Sequence, residues 1–234
     1  MVCFKLNPCP QSAMLEYVDS RSITELVKLV KETQSKEHVR KVVEERIKEF
    51  TGVYYSSSEK WFEELVYCLL TAYSSARMGY KCLAALTEEN ALFTGNIDNI
   101  RSCLRGQGHR FAEKRALYIM AAREYAPNIK EIIQRQSSSK KAREWLVNNI
   151  MGFGMKEASH YLRNVGYLDL AIIDRHILSN MLELKIIPGM PKSITKKKYL
   201  EYEVILEAAA TKLNMPLGKM DLYLWYRKTG EVLK

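Results

Sequence analysis

Cysteine is scarce in this chain and poorly spaced for a structural role. The five thiols are Cys3, Cys9, Cys68, Cys82 and Cys103; they form no Cys-x-x-Cys pair, their number is odd, and none follows residue 103. That pattern argues against a disulfide framework or a zinc site and points to reduced thiols in an intracellular protein. The four histidines, His38, His109, His160 and His176, show neither an HxxxH pair nor a His–carboxylate spacing suited to a metal. They read as structural or surface residues, and no metal and no cofactor is expected. Long apolar runs are also missing. The opening MVCFKLNPCP is too poor in apolar residues for a signal peptide, and nothing approaches the ~20 residues that cross a bilayer. The expectation is a soluble, cytoplasmic protein without membrane contact. Absent too is the apolar–polar alternation, broken by hairpin turns, that strands leave behind.

What is present is a core and a positive charge. Apolar residues make up 47% of the 234 positions, too many for a disordered chain. The formal charge of +9 and the pI near 9.2 attract polyanions, though many basic proteins bind no nucleic acid. Helical periodicity runs almost end to end. Ile23, Leu26, Val27 and Val30 share one face, as do Val39, Val42, Val43, Ile47 and Phe50. The segment EKWFEELVYCLLTAY, Glu59 to Tyr73, is apolar nearly all round and follows the serines Ser56 to Ser58, so it reads as a capped, central helix. Further helices are expected at Ile97–Arg105, Arg110–Tyr125, Ala142–Ile150, Met155–Val165, Asp174–Leu184, Lys196–Leu213 and Met220–Lys228, separated by glycine and proline. The fold class is all-α. Residues 1 to about 20 are less regular and read as an extension. Lys196, Lys197 and Lys198 open a helix and read as a solvated face.

One stretch carries chemistry: NIMGFGMKEASHYLRNVGYLDLAIIDRHILS, Asn149 to Ser179. A helix ends near Ile150, a Gly-Phe-Gly turn follows, and a second helix starts at about Met155. Glycines here permit positive φ and close backbone approach. The amides at the start of the second helix can then donate to a phosphate whatever the base sequence. A plain connector would look the same in isolation. Lys156 lies in the first turn of that helix, a poor place for a cation that has no task. Asp174, before Arg175-His176-Ile177-Leu178, is well placed as a helix N-cap.

Together these residues resemble the helix-hairpin-helix DNA glycosylase superfamily. Its members carry a G-x-G hairpin, a lysine two residues on and an aspartate about twenty residues later, here Gly152, Gly154, Lys156 and Asp174. Within it, the chain resembles the archaeal-type 8-oxoguanine DNA glycosylase/lyase family, through LLTAYSS, the segment Arg110 to Lys114 and the closing DLYLWYRKTGEVLK. The likeness covers residues 22 to 234. It implies removal of 8-oxoguanine from double-stranded DNA and nicking of the strand by a monomer. The implied fold is two helical lobes, a middle one over about 65–170 and a second from 21–64 plus 171–234, with the hairpin at the mouth of the cleft. The superfamily's iron–sulfur members carry four cysteines after the hairpin; this chain has none there, so no cluster is expected.

The resemblance makes Lys156 the nucleophile. At an ordinary lysine pKa the neutral amine costs about 4.6 kcal/mol at pH 7, and desolvation must supply most of that. Asp174 then stabilises the cationic sugar or accepts the lysine's proton, compatibly with a capping role. Lys234, by the same resemblance, enters the base pocket and separates 8-oxoguanine from guanine, which differ by an N7–H donor and an O8 acceptor. Trp225 reads either as a stacking wall for an extruded purine or as core. Phe111, beside Arg110, reads either as a wedge in the base stack or as a buried helix aromatic. Two other readings remain at this point: a glycosylase for a different lesion, and a non-catalytic helix-hairpin-helix DNA-binding module.

Overall fold

A computed structural model describes residues 20–234. The expected extension lies outside these residues but for Ser20, as do Cys3 and Cys9. Twelve α-helices and one 3-10 turn account for the regular structure of the described residues, with no strand among them. None of these helices is long and apolar enough to cross a membrane. The chain divides into two compact units. One, discontinuous, runs up to Val43 and resumes over Ile173–Val232; the other, central, spans Glu44–Ile172 with Leu233–Lys234.

The central unit begins within α2 (Glu37–Tyr54) and contains α3 (Ser58–Thr71), α4 (Ala76–Glu88), α5 (Ile97–Gly106), α6 (Ala112–Ala122), α7 (Ile129–Gln134), α8 (Ser139–Asn149) and α9 (Met155–Asn164). Its organising element is α3. Ser57 caps it by accepting from the Lys60 amide, and ten of its fourteen residues are buried, which only a helix packed on all sides can achieve. The helices around it are α4, α6, α7 and α9. Residues 44–64, expected in the other lobe, belong here because their large side chains do. Trp61 and Phe62 are wholly buried in the central core, Val53 and Tyr54 pack against it, and Trp61 Nε1 donates to the Val53 carbonyl at 2.8 Å.

Helix α4 has no counterpart among the helices expected from the sequence. Its segment ARMGYKCLAALTE carries Gly79 in mid-helix, which weakens the helical signal. The glycine lets α4 approach α3 closely: a Cβ there would lie 2.6 Å from Thr71 Cγ2 and 3.0 Å from the Tyr67 ring. Six-residue α7, opening just after Pro127, is too short for periodicity to reveal. The single helix expected over Arg110–Tyr125 is α6 followed by the 3-10 turn Arg123–Tyr125.

In the discontinuous unit, α1 (Ser20–Gln34) packs on α11 (Lys196–Lys212) and α12 (Leu217–Thr229), and α10 (Arg175–Glu183) packs on α12. The apolar stripe of α1 is Ile23, Leu26, Leu29 and Val30, at the spacing of a half-buried helix. Asn180, wholly buried, ties α10 to α12 by donating to the Leu224 carbonyl at 3.2 Å and accepting from Arg227 at 2.9 Å.

Candidate active site

The Gly-Phe-Gly segment is a tight hairpin between α8 and α9. Phe153 points inward and is buried near Tyr161, its amide donating to the Ile150 carbonyl at 3.1 Å. The two glycines differ in kind. Gly152 has φ +94°, and a Cβ on it would lie 2.4 Å from the Tyr118 ring, so both conformation and space demand glycine. Gly154 has φ −108°, an ordinary extended value, and a Cβ would meet only the Glu157 carboxylate at 3.3 Å. Positive φ, expected of both, belongs to Gly152 alone. Gly152→Ala should therefore cost about 2–4 kcal/mol in urea unfolding, from backbone strain and the ring clash. Gly154→Ala should cost under about 1 kcal/mol, and equal losses would contradict this reading of the turn.

Gly154 is the N-cap of α9 and brings no capping side chain. Glu157 turns back to accept from the Gly154 amide at 3.3 Å, while the amides of the following turn have no intrahelical partner. Lys156 is the second residue of this helix. Its Nζ lies 3.9 Å from Glu157 Oε1, and about a quarter of its side-chain surface remains exposed. One turn on is His160, on the same helical face. It is buried, and neither ring nitrogen makes a hydrogen bond of ordinary geometry. Burial first, then the charges of Arg163, Lys156 and Lys234, hold its pKa well below the usual histidine range, so it stays neutral. Cys68, also buried, has its thiol pushed far up by burial and by Glu64, so it offers no thiolate nucleophile.

Lys234 lies inside the central unit. Its ammonium pairs with Glu64 on α3, a carboxylate with 1% exposure. The same ammonium sits 5.1 Å from the centroid of the Tyr67 ring and 5.6 Å from that of Tyr80. Tyr67 donates its hydroxyl to the Lys234 carbonyl at 3.0 Å, and burial keeps that phenol protonated. Lys156 and Lys234 both lie near enough to His160 and Cys68 to act on them electrostatically. These two lysines are thus gathered around one buried set of side chains.

Asp174 belongs to the other unit, where it caps α10 as expected. Its Oδ1 accepts from the amides of His176 at 2.8 Å and Ile177 at 2.9 Å. Trp225 on α12 is partly exposed, its indole edge-on to His176 at 6.0 Å between centroids. Phe111, in the central unit, is also partly exposed and stands just before α6. Buried His109 fixes that segment: Nδ1 accepts from the Phe111 amide at 3.1 Å, which leaves Nε2–H to donate to the Leu70 carbonyl at 2.9 Å. Arg115 adds a bond to the Ala72 carbonyl at 2.6 Å, and its guanidinium lies 6.0 Å from the Phe111 ring. The loop after α3 and the start of α6 are thereby locked together. The residues that sequence reasoning missed are Glu64, Tyr67 and Tyr80; His109 and His160, read as structural or surface residues, are both buried. Glu64 left only a partial signal, as one of two adjacent acids, Glu63 and Glu64, in the otherwise apolar WFEELVYCLL.

Residues 43–215 match the family model of the 8-oxoguanine DNA glycosylases. The chain belongs to that family. The 8-oxoguanine DNA glycosylase/AP lyase of Methanocaldococcus jannaschii is 43% identical over 209 residues, spanning 89% of this chain and 99% of that protein. The Aquifex aeolicus protein of the same description is 47% identical over 178 residues, covering 74% and 78%. Among solved structures, the M. jannaschii glycosylase/lyase in complex with 15mer DNA containing 8-oxoguanine superposes with a TM-score of 0.84 at 42% identity, covering 90% and 100% of the two chains. The matched span of the 8-oxoguanine glycosylase model includes the hairpin, Lys156, Asp174 and Phe111; Trp225 and Lys234 follow it.

Proposed function

We propose that this glycosylase-family protein excises 8-oxoguanine from duplex DNA and then cleaves the abasic strand, with Lys156 as nucleophile. The observation that carries the reading is a lysine in the first turn of α9, behind a glycine hairpin whose helix-start amides lack intrahelical partners. Those amides, with Gly152 and Gly154 allowing close approach, suit a DNA phosphate and hold the backbone beside the amine. Neutral Lys156 Nζ bonds to the sugar C1′ as the bond from C1′ to the base nitrogen breaks, and the base departs with its electron pair and takes up a proton. Loss of the amine proton and opening of the sugar ring give a Schiff base. That iminium acidifies the C2′ proton, whose removal expels the 3′ phosphate and nicks the strand.

The carboxylate of Asp174 opposes the positive charge that builds on the sugar. Both of its cap bonds fall on Oδ1, so Oδ2 serves the substrate. Trp225 and Phe111, both partly exposed, are assigned to the extruded base and the DNA stack, and Lys234 to recognition of the lesion. Every group named comes from one chain, and the reading is of a cytoplasmic monomer.

The test is borohydride trapping on a duplex with a single 8-oxoguanine beside an undamaged control. A covalent complex on the damaged duplex alone supports the nucleophile, the lyase step and the lesion together. Base release without a trapped species would reduce the enzyme to a monofunctional glycosylase. Binding without either would favour the non-catalytic reading.

A further inference from the structure

A buried carboxylate with no catalytic assignment lies beneath Lys234. Glu64 is 1% exposed in the middle of α3, and an isolated charge there would be strongly disfavoured. Its two oxygens have separate partners. Oε1 takes the Lys234 ammonium, and Oε2 accepts from Asn164 Nδ2 at 3.2 Å. Asn164 is itself oriented by Arg163, whose Nε and Nη2 donate to its Oδ1 at 3.4 and 3.3 Å, so the amide nitrogen must face Glu64. The carboxylate is therefore fixed from behind.

Lys234 is held at both ends by the same helix. Its ammonium has the Glu64 oxygen and the rings of Tyr67 and Tyr80, which stand 4.9 Å apart, and its carbonyl has the Tyr67 hydroxyl. A lysine used to probe a base with its ammonium would leave that group facing the pocket. Here the cation is consumed by an interior acid, and the main chain of Lys234 is what the pair holds still.

We infer that Glu64 is a positioning residue for lesion discrimination: by anchoring the Lys234 ammonium it fixes how that residue meets the damaged base. The inference rests on the role proposed for Lys234 above. Glu64 acts on the base through Lys234, so its effect on lesion preference is read apart from folding and from the lyase step.

The experiment compares Glu64→Gln, Lys234→Met and the double variant with the native enzyme. Single-turnover base excision is measured on duplexes with 8-oxoguanine or guanine opposite cytosine, and strand cleavage on a preformed abasic duplex. Each single variant should lose about tenfold or more of the preference for 8-oxoguanine over guanine, the worth of one oriented hydrogen bond. The double variant should lose no more than either single one. Glu64→Gln should cleave the abasic duplex at the native rate, since no base needs reading there. Retention of the preference within about twofold in Glu64→Gln, or losses that multiply in the double variant, would overturn the inference. If Glu64→Gln does not fold by circular dichroism, Glu64→Met, which removes the anchor while filling its space, decides on the same comparison: retention of the preference within about twofold would overturn the inference. A native enzyme with no preference between the duplexes would instead remove the role of Lys234 on which the inference stands.

Discussion

Lys156→Gln should leave the protein folded and able to bind a damaged duplex, yet abolish the borohydride-trapped complex and slow base excision by about 10³-fold or more. The expectation of a sound fold follows from what the side chain touches. Its ion-pair partner is Glu157 at 3.9 Å, a pair of partly exposed groups worth well under about 1 kcal/mol. Removing a cation from a helix N-terminus is neutral to slightly favourable. Glutamine keeps most of the length and a polar end, so DNA affinity should change by less than about threefold at fixed salt, the phosphate contacts being supplied by backbone amides. What it lacks is a lone pair on nitrogen that can bond to C1′, since an amide nitrogen is delocalised. A trapped adduct in this variant would assign the nucleophile elsewhere. Cys68 would not be the substitute, because burial keeps its thiol protonated. Loss of both binding and chemistry would instead mean that the lysine is part of the DNA-binding surface.

The parts of this site written in local backbone rules are legible in the sequence alone. Gly152 is demanded by a positive φ and by the ring of Tyr118, and glycine in a helix-to-helix turn signals the first of these. Asp174 as an N-cap is a statement about two residues downstream, and the cap is there. Helices with a clear apolar stripe, such as α1, are equally plain. Harder are features that depend on which segments come near one another. Gly79 reads as a flaw in a helix until α3 is seen pressed against it. The partner of Lys234 is 170 residues away, and nothing at either end of the sequence couples Glu64 to it. Two adjacent acids, Glu63 and Glu64, in the apolar run of α3 do pose a question of charge compensation, but only packing shows that Glu64 is the buried one and that Lys234 answers it. His160 and His109 look alike in sequence as single histidines without a metal-ligand spacing. Only packing makes the first a neutral, unbonded ring and the second a bridge between the end of α3 and the start of α6.

Asp174→Asn should separate capping from chemistry. The amide keeps an oxygen at the position of Oδ1, which accepts from the His176 and Ile177 amides at 2.8 and 2.9 Å. Asparagine is as good an N-cap as aspartate, so the melting transition should move by no more than the equivalent of about 0.5 kcal/mol. The negative charge is lost, and with it the electrostatic support for a sugar that becomes cationic as the base departs. Base excision should fall by about 10²–10⁴-fold. Asp174→Ala removes cap and charge together. It should show the same loss of excision with about 0.5–2 kcal/mol of destabilisation added, because the two amides at the start of α10 lose their acceptor. The pair of variants therefore predicts activity losses that agree and stabilities that differ. If Asn at this position excises 8-oxoguanine at the native rate, the carboxylate is a cap alone. Activity that falls only in step with unfolding across both variants would lead to the same conclusion, and charge stabilisation of the sugar would then have to come from the phosphates or from helix dipoles.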